Sequence, residues 1–187
     1  MRIAGIAGSL RQGSFNRALL AATRELKPEH MTIEVLEIGD VPFFNADVEA
    51  QGTPEPVARL REAIAAADGL LIATPEYNAS VPGVLKNAID WLSRPPGKSV
   101  LVGKPTALVG ASTGTLGTAR AQAHLRAALE HNAAPVMPYP QVFVAQAPSR
   151  FDEQAKLTDE KTRAFIGKFL EAFSDWVRRN GPQAAGR

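Results

Sequence analysis

The stretch from Ile3 to Arg17, IAGIAGSLRQGSFNR, carries residue types that suit phosphate binding. A short apolar run ends at Gly8, polar side chains follow, and apolar residues resume at helical spacing from Ala18. This order predicts a strand, a turn and a helix. The first N–H groups of a helix have no partner within it, and the aligned peptide dipoles add partial positive charge there. The turn is therefore suited to an anion.

Four side chains of this turn add to that capacity. Ser9, Ser14 and Asn16 can donate hydrogen bonds, and Arg11 adds a fixed charge whose planar fork matches phosphate oxygens. The turn lacks the Gly-x-Gly-x-x-Gly spacing of a dinucleotide fold and the Gly-Lys-Ser/Thr ending of an NTPase loop. A phosphate monoester with an organic body therefore fits better than a pyrophosphate. Two alternatives stay open: Ser14 only caps the helix, or Arg11 is a solvated loop charge.

The composition excludes several classes of protein and site. A length of 187 residues favours one domain, and the absence of cysteine excludes disulfides, thiolate chemistry and iron–sulfur clusters. Any redox chemistry must therefore belong to a bound cofactor. No apolar run approaches the ~18–20 residues that cross a bilayer, and the first strand begins without a signal segment, so we expect a cytoplasmic protein with no membrane contact. The formal charge of +2, without a block of basic residues interleaved with aromatics, argues against nucleic acid.

Short apolar runs alternate with amphipathic stretches along the rest of the chain. We predict strands alternating with helices, typical of a parallel sheet covered on both faces, a doubly wound α/β domain. Residues 40–56 are predicted as a long loop, and the proline-containing last strand, 136–144, is predicted to break or bulge at a sheet edge. We expect a single domain over residues 1–180 and a disordered tail over residues 181–187.

Two further loops of unusual composition follow predicted strands. Pro75–Asn78 offers a proline-stiffened backbone, an amide and a flat ring, and Ser112–Gly114 offers hydroxyls and a glycine. With the strand order 2-1-3-4-5, ligands sit beyond the carboxyl ends of the strands, between strands 1 and 3. All three loops leave the sheet at this end. One loop for a phosphate and two for a planar polar ring describe FMN.

With these three loops the sequence resembles a known family, the NAD(P)H-dependent FMN reductases, and within them the bacterial quinone and chromate reductases. The likeness covers nearly the whole chain up to about residue 144. Its motifs are specific together and weak singly. They are Gly8-Ser9-Leu10-Arg11 with Ser14 and Asn16-Arg17, Thr74–Asn78 with Ser80–Gly83, Leu85–Arg94, and Gly117 with Arg120 and Gln122.

The resemblance implies a flavodoxin-like doubly wound five-stranded parallel sheet with strand order 2-1-3-4-5 that holds FMN non-covalently. The first loop would bind the phosphate, the second would cradle the isoalloxazine, and the third would border the ring's other polar edge. The implied cofactor-binding residues are Ser9, Arg11, Ser14, Phe15, Asn16, Pro75, Glu76, Tyr77, Asn78, Ser112, Thr113 and Gly114. No catalytic residue is implied, because the chemistry is the cofactor's.

The implied activity is hydride transfer from NADPH or NADH through FMN to a quinone-like acceptor, with chromate, azo and nitro compounds as further candidates. A flavodoxin-type electron carrier and an FMN-sensing module are the alternatives. Such carriers are typically strongly acidic, whereas this chain has a formal net charge of +2. Family members are homodimers or homotetramers with flavins at subunit interfaces. Ala79 and Ala123 stand where relatives tend to carry aromatics that join dimers into tetramers. Trp91 either contacts another subunit or packs within its own.

The remaining titratable residues give few signals. Glu76 either acts as an acid beside a pocket, or it is solvated or caps a neighbouring N–H group. His30, His124 and His131 show no metal-ligand spacing with carboxylates, so no metal site is expected. Three alternatives stay open for Arg120: a position near the flavin, a subunit contact, or a solvated charge on a helix.

Overall fold

The computed structural model describes residues 1–181 and forms one five-stranded sheet, all of whose paired strands are parallel. The strand order is β2-β1-β3-β4-β5, as predicted, so the doubly wound fold class is confirmed. The strands are β1 (Arg2–Ala7), β2 (Thr32–Leu36), β3 (Gly69–Ala73), β4 (Thr106–Ala111) and β5 (Val142–Val144). Apart from Gly181, the predicted disordered tail lies outside the described residues, and the single domain stays a prediction.

Helices cover both faces of the sheet. They are α1 (Phe15–Leu26), α2 (Ala46–Ala50), α3 (Glu55–Ala66), α4 (Gly83–Leu92), α5 (Ala119–His131) and α6 (Glu160–Asn180). The apolar sides of α1 and α6 pack on one face, and those of α3, α4 and α5 pack on the other. The central strands are buried on both faces, which explains their continuous apolar sequences. None of the helices within residues 1–181 is long and apolar enough to span a membrane.

Two predicted elements differ from the observed ones. The predicted loop 40–56 contains α2, whose first turn is capped because the Asn45 side chain accepts from the Asp47 N–H at 2.8 Å. The last strand is shorter than 136–144, since Pro138 and Pro140 have no N–H to donate. Before β5, this segment contacts the sheet through an isolated bridge between Val136 and Thr106. The expected break at the sheet edge is thus present.

Trp91 is the largest fully buried side chain of the fold. It is 1% exposed, and its indole Nε1 donates to the Pro42 carbonyl at 2.8 Å. Phe44 packs edge-on against the indole, with 5.0 Å between ring centroids. Of the two alternatives for Trp91, the structure has packing within the subunit, where it anchors the loop that carries Phe43.

Candidate functional site

The loops that follow β1, β3 and β4 meet around a cavity of about 140 Å³ at the carboxyl end of the sheet. Ten of the twelve predicted site residues line it, together with Ala111, the last residue of β4. The ten are Ser9, Arg11, Ser14, Phe15, Asn16, Pro75, Glu76, Tyr77, Ser112 and Thr113. Gly114 lines an adjoining cavity of about 310 Å³, and Asn78 lines neither. No feature of the sequence indicated Ala111 as a site residue, because it contributes to the site only through its backbone and its position.

The first loop begins at a glycine that the packing requires. Gly8 donates its N–H to the Ala73 carbonyl at 2.8 Å, which continues the pairing of β1 with β3. A Cβ built at Gly8 would lie 2.9 Å from Leu85 Cδ2 and 3.3 Å from Pro75 Cδ. A side chain at this position would therefore crowd Leu85 of α4 first and Pro75 of the second loop next.

The start of α1 has unsatisfied donors. The Ser14 hydroxyl accepts from the N–H groups of Asn16 at 3.2 Å and Arg17 at 3.4 Å, so Ser14 is the N-cap. Other backbone N–H groups of this loop have no acceptor within residues 1–181. They belong to Ser9, Leu10, Arg11, Gln12, Gly13 and Phe15. Donors beside the positive end of a helix dipole are the arrangement that binds phosphate.

Arg11 adds an exposed positive charge to this loop. Its guanidinium carbon lies 5.9 Å from the centroid of the Phe15 ring. No carboxylate among the described residues lies within salt-bridge distance of it. The charge is therefore not neutralised by a neighbour, and the ring contact holds the guanidinium beside the cavity that it lines.

Asn16 ties the first loop to the end of β4. Its side chain is buried, its Nδ2 donates to the Ala111 carbonyl at 2.9 Å, and its Oδ1 accepts from the Ala111 N–H at 2.9 Å. One amide thus satisfies both backbone groups of a strand end. The structure gives this side chain a positioning role, and its expected contact with the phosphate stays a prediction.

The second loop is a tight hairpin. Tyr77 and Ser80 exchange backbone hydrogen bonds at 3.1 and 3.0 Å. The two residues between them, Asn78 and Ala79, have φ angles of 50° and 60°, in the left-handed region. The Tyr77 hydroxyl lies 3.2 Å from Ser9 Oγ, which links this hairpin to the first loop.

Glu76 caps the start of α5 from a different loop. Its carboxylate, 7% exposed, accepts from the backbone N–H groups of Arg120 at 3.0 Å and Ala121 at 3.2 Å, and from Arg120 Nε at 2.7 Å. Burial raises its pKa, but the Arg120 charge and the donors outweigh burial, so the pKa lies below its ordinary value. The side chain of Thr118, the N-cap residue, accepts from Gln122 Nε2 at 3.0 Å but from no backbone N–H of α5. Glu76 is therefore an ionised cap, which is the second of its two sequence readings.

The third loop is held by the end of β5 and by the segment that follows it. Ser112 donates its N–H to the Val144 carbonyl at 3.0 Å, and its carbonyl accepts from Ala147 at 2.9 Å. In the part of the chain that the structure describes, the backbone N–H groups from Thr113 to Thr118 donate to no acceptor. A run of such donors at the edge of a cavity suits the polar rim of a planar ligand.

Comparison with known proteins shows the family of the chain. Residues 1–149 match the family described as NADPH-dependent FMN reductase. The chain belongs to this family. It is 50% identical over 179 residues to the NAD(P)H-dependent FMN reductase of Pseudomonas aeruginosa, covering 96% of each chain. It is 45% identical over 178 residues to a quinone reductase of Pseudomonas putida, covering 95% of each.

A solved structure extends the likeness to three dimensions. The flavoenzyme NAD(P)H:(acceptor) oxidoreductase FerB from Paracoccus denitrificans superimposes with a TM-score of 0.89 at 40% identity, covering 96% of this chain and 98% of that one. The resemblance predicted from sequence is thereby confirmed. This member of the FMN reductase family is an oxidoreductase that uses FMN and NAD(P)H.

The residues present fit FMN. The first loop offers a cation, hydroxyls and N–H donors for a phosphate, and the other two loops offer an aromatic ring and a second run of N–H donors. Within residues 1–181, no group of three or more His, Cys, Asp or Glu side chains is placed to hold a metal ion. The donor set therefore suits an organic phosphate.

Proposed function

We propose that this FMN reductase family member transfers hydride from NADPH or NADH, through FMN bound in the 140 Å³ cavity and its rim, to a quinone-like acceptor. One observation carries the proposal: the unneutralised Arg11 and N–H groups without acceptors from the first and third loops line the 140 Å³ cavity and the adjoining 310 Å³ cavity. The relatives named quinone reductase and NAD(P)H:(acceptor) oxidoreductase support a quinone-like acceptor.

The proposed FMN site places the phosphate in the first loop. Arg11 and the hydroxyls of Ser9 and Ser14 would hold the phosphate oxygens together with the N–H groups of that loop. Phe15 and Asn16 would form the adjoining wall. The isoalloxazine would lie between the other two loops, against Pro75, Glu76, Tyr77, Asn78, Ser112, Thr113 and Gly114.

When bound, FMN supplies the acceptance and donation of hydride. The chain's own residues would orient the ring, exclude water from it and stabilise negative charge. The N–H groups of residues 113–117, which line the two cavities, would serve the last role, because fixed donors need no reorganisation when charge develops. Glu76 would not donate a proton, since its carboxylate is ionised and bonded to α5. The overall reaction converts a quinone, NAD(P)H and a proton into hydroquinone and NAD(P)⁺.

Two measurements on the purified protein test this function. We expect the protein stripped of flavin to bind added FMN in a fluorescence titration, and the reconstituted protein to oxidise NADPH rapidly when benzoquinone is present. Protein that does not bind FMN would contradict the proposed site. Protein that binds FMN but leaves NADPH unconsumed would contradict the enzyme and favour an electron carrier or a sensor.

We also propose that the protein is a homodimer or a homotetramer. Phe43 is 82% exposed although its loop is firmly held, since Asn87 accepts from the Phe44 N–H at 2.8 Å and donates to the Pro42 carbonyl at 2.9 Å. Aromatic side chains are enriched in protein interfaces, and an interface at this loop would bury the Phe43 ring. Light scattering should give a mass of two or four times 20.0 kDa, and Phe43→Ser should shift it towards that of the single chain.

A further inference from the structure

The hairpin of residues 75–80 is held in a conformation that needs support. Two successive residues other than glycine, Asn78 and Ala79, occupy the left-handed region, which L residues adopt only at a cost in free energy. The turn is short, and two backbone hydrogen bonds between Tyr77 and Ser80 close it. Contacts from outside the hairpin must therefore contribute to its position.

Helix α5 supplies such contacts at both ends of the hairpin. At one end, the Glu76 carboxylate is bonded to Arg120 and to the first turn of α5. At the other end, Ser80 Oγ lies 3.0 Å from His124 Nδ1. Arg120 and His124 are four residues apart, so they lie one above the other on the same face of the helix.

The same helix is joined to the other side of the cavity. The third loop runs directly into α5, which begins at Ala119. A helix bonded to the hairpin at two levels therefore fixes the distance between the two loops that would hold the isoalloxazine. The Tyr77 hydroxyl joins the hairpin to Ser9 of the first loop. The bond between Ser80 and His124 adds the second point at which the hairpin is fixed against α5.

We propose that His124 is a positioning residue for FMN: its hydrogen bond to Ser80 fixes the hairpin against α5 and so sets the alignment of the flavin ring. This proposal rests on the proposed function. His124 lies outside the set of residues that line the two cavities, and it acts through Ser80.

The packing of α5 does not depend on His124. That helix is held to the sheet by buried residues, among them Leu125 and Gln122, whose Nε2 donates to the Val142 carbonyl at 2.9 Å. His124 is exposed, so its replacement should leave the fold intact. His131 offers a matched control, because it is an exposed histidine at the far end of the same helix and has no side-chain hydrogen bond within residues 1–181.

The experiment measures the Kd for FMN and the visible circular dichroism of the bound flavin in five proteins: wild type, His124→Ala, Ser80→Ala, the double variant and His131→Ala. We expect His124→Ala and Ser80→Ala each to weaken FMN binding about threefold to tenfold and to change the flavin dichroism. The double variant should be no weaker than either single variant, because both remove the same bond. His131→Ala should match the wild type.

A conservative variant separates positioning from general destabilisation. His124→Asn places an amide atom near the position of Nδ1, so it should restore both the Kd and the dichroism. An unchanged Kd in His124→Ala, effects that multiply in the double variant, or no recovery in His124→Asn would overturn the proposal. Wild-type protein that does not bind FMN would instead refute the proposed function, so the two failures are distinguishable.

Discussion

Replacing Arg11 with alanine is the sharpest test of where the phosphate binds. A hydrogen bond to a charged group contributes about 1.5–3 kcal/mol, and each ~1.4 kcal/mol is a factor of ten in Kd. Arg11 is exposed, so solvent screening places the expected loss near the lower end of that range. We therefore expect Arg11→Ala to raise the Kd for FMN by about tenfold.

The assay is a fluorescence titration of flavin-free protein with FMN and, in parallel, with riboflavin, which has the same ring and no phosphate. Arg11→Ala should weaken FMN binding and leave riboflavin binding nearly unchanged, and the difference should shrink at high salt. Arg24→Ala removes an exposed arginine in the last turn of α1, away from the cavity, and is the matched control. Equal losses for FMN and riboflavin, or unchanged FMN affinity, would refute the placement of the phosphate at this loop.

Three further predictions concern the framework of the site. Asn16→Ala should lower the free energy of unfolding by about 2–4 kcal/mol in urea denaturation, because it leaves the backbone groups of Ala111 buried without partners. Gly110→Ala places a methyl group 2.7 Å from the Thr74 carbonyl oxygen and should lower the Tm by several degrees, as calorimetry would show. Glu76→Gln should cost about 1–2 kcal/mol at pH 7. Because the folded-state pKa of Glu76 is lowered, its ionised form stabilises the fold above its ordinary pKa of 4.5, and urea titrations should show the difference from Glu76→Gln disappearing as the pH falls through the folded-state pKa.

The order of elements and the position of the site could be predicted from local patterns. The continuous apolar runs of β1, β3 and β4 indicate buried parallel strands, and loops after such strands meet at one edge of the sheet. Ser14 and Arg11 could be found because an N-cap hydroxyl and a loop cation beside a helix start have a local signature. These features depend on residues close together in the chain.

Other features arise between residues that are distant in the chain. Asn16 bonds to Ala111 across 95 positions, and Glu76 caps a helix 44 positions away. No periodicity or spacing signals such pairs, since many side chains could satisfy the same backbone groups. Helix α2 was likewise not predicted, because one capping residue starts it within a segment of little periodicity. The last strand was predicted to break, but not to be as short as β5.

The sequence by itself determined the alternation of strands and helices, the anion-binding turn and the resemblance to FMN reductases, because apolar periodicity and short motifs act locally. Only the tertiary structure decided that Glu76 is an ionised cap, that Trp91 is buried within the subunit and that α5 holds the hairpin of residues 75–80. The physical reason is that a polar side chain takes its role from the partner it meets. That partner is set by how the helices pack on the sheet.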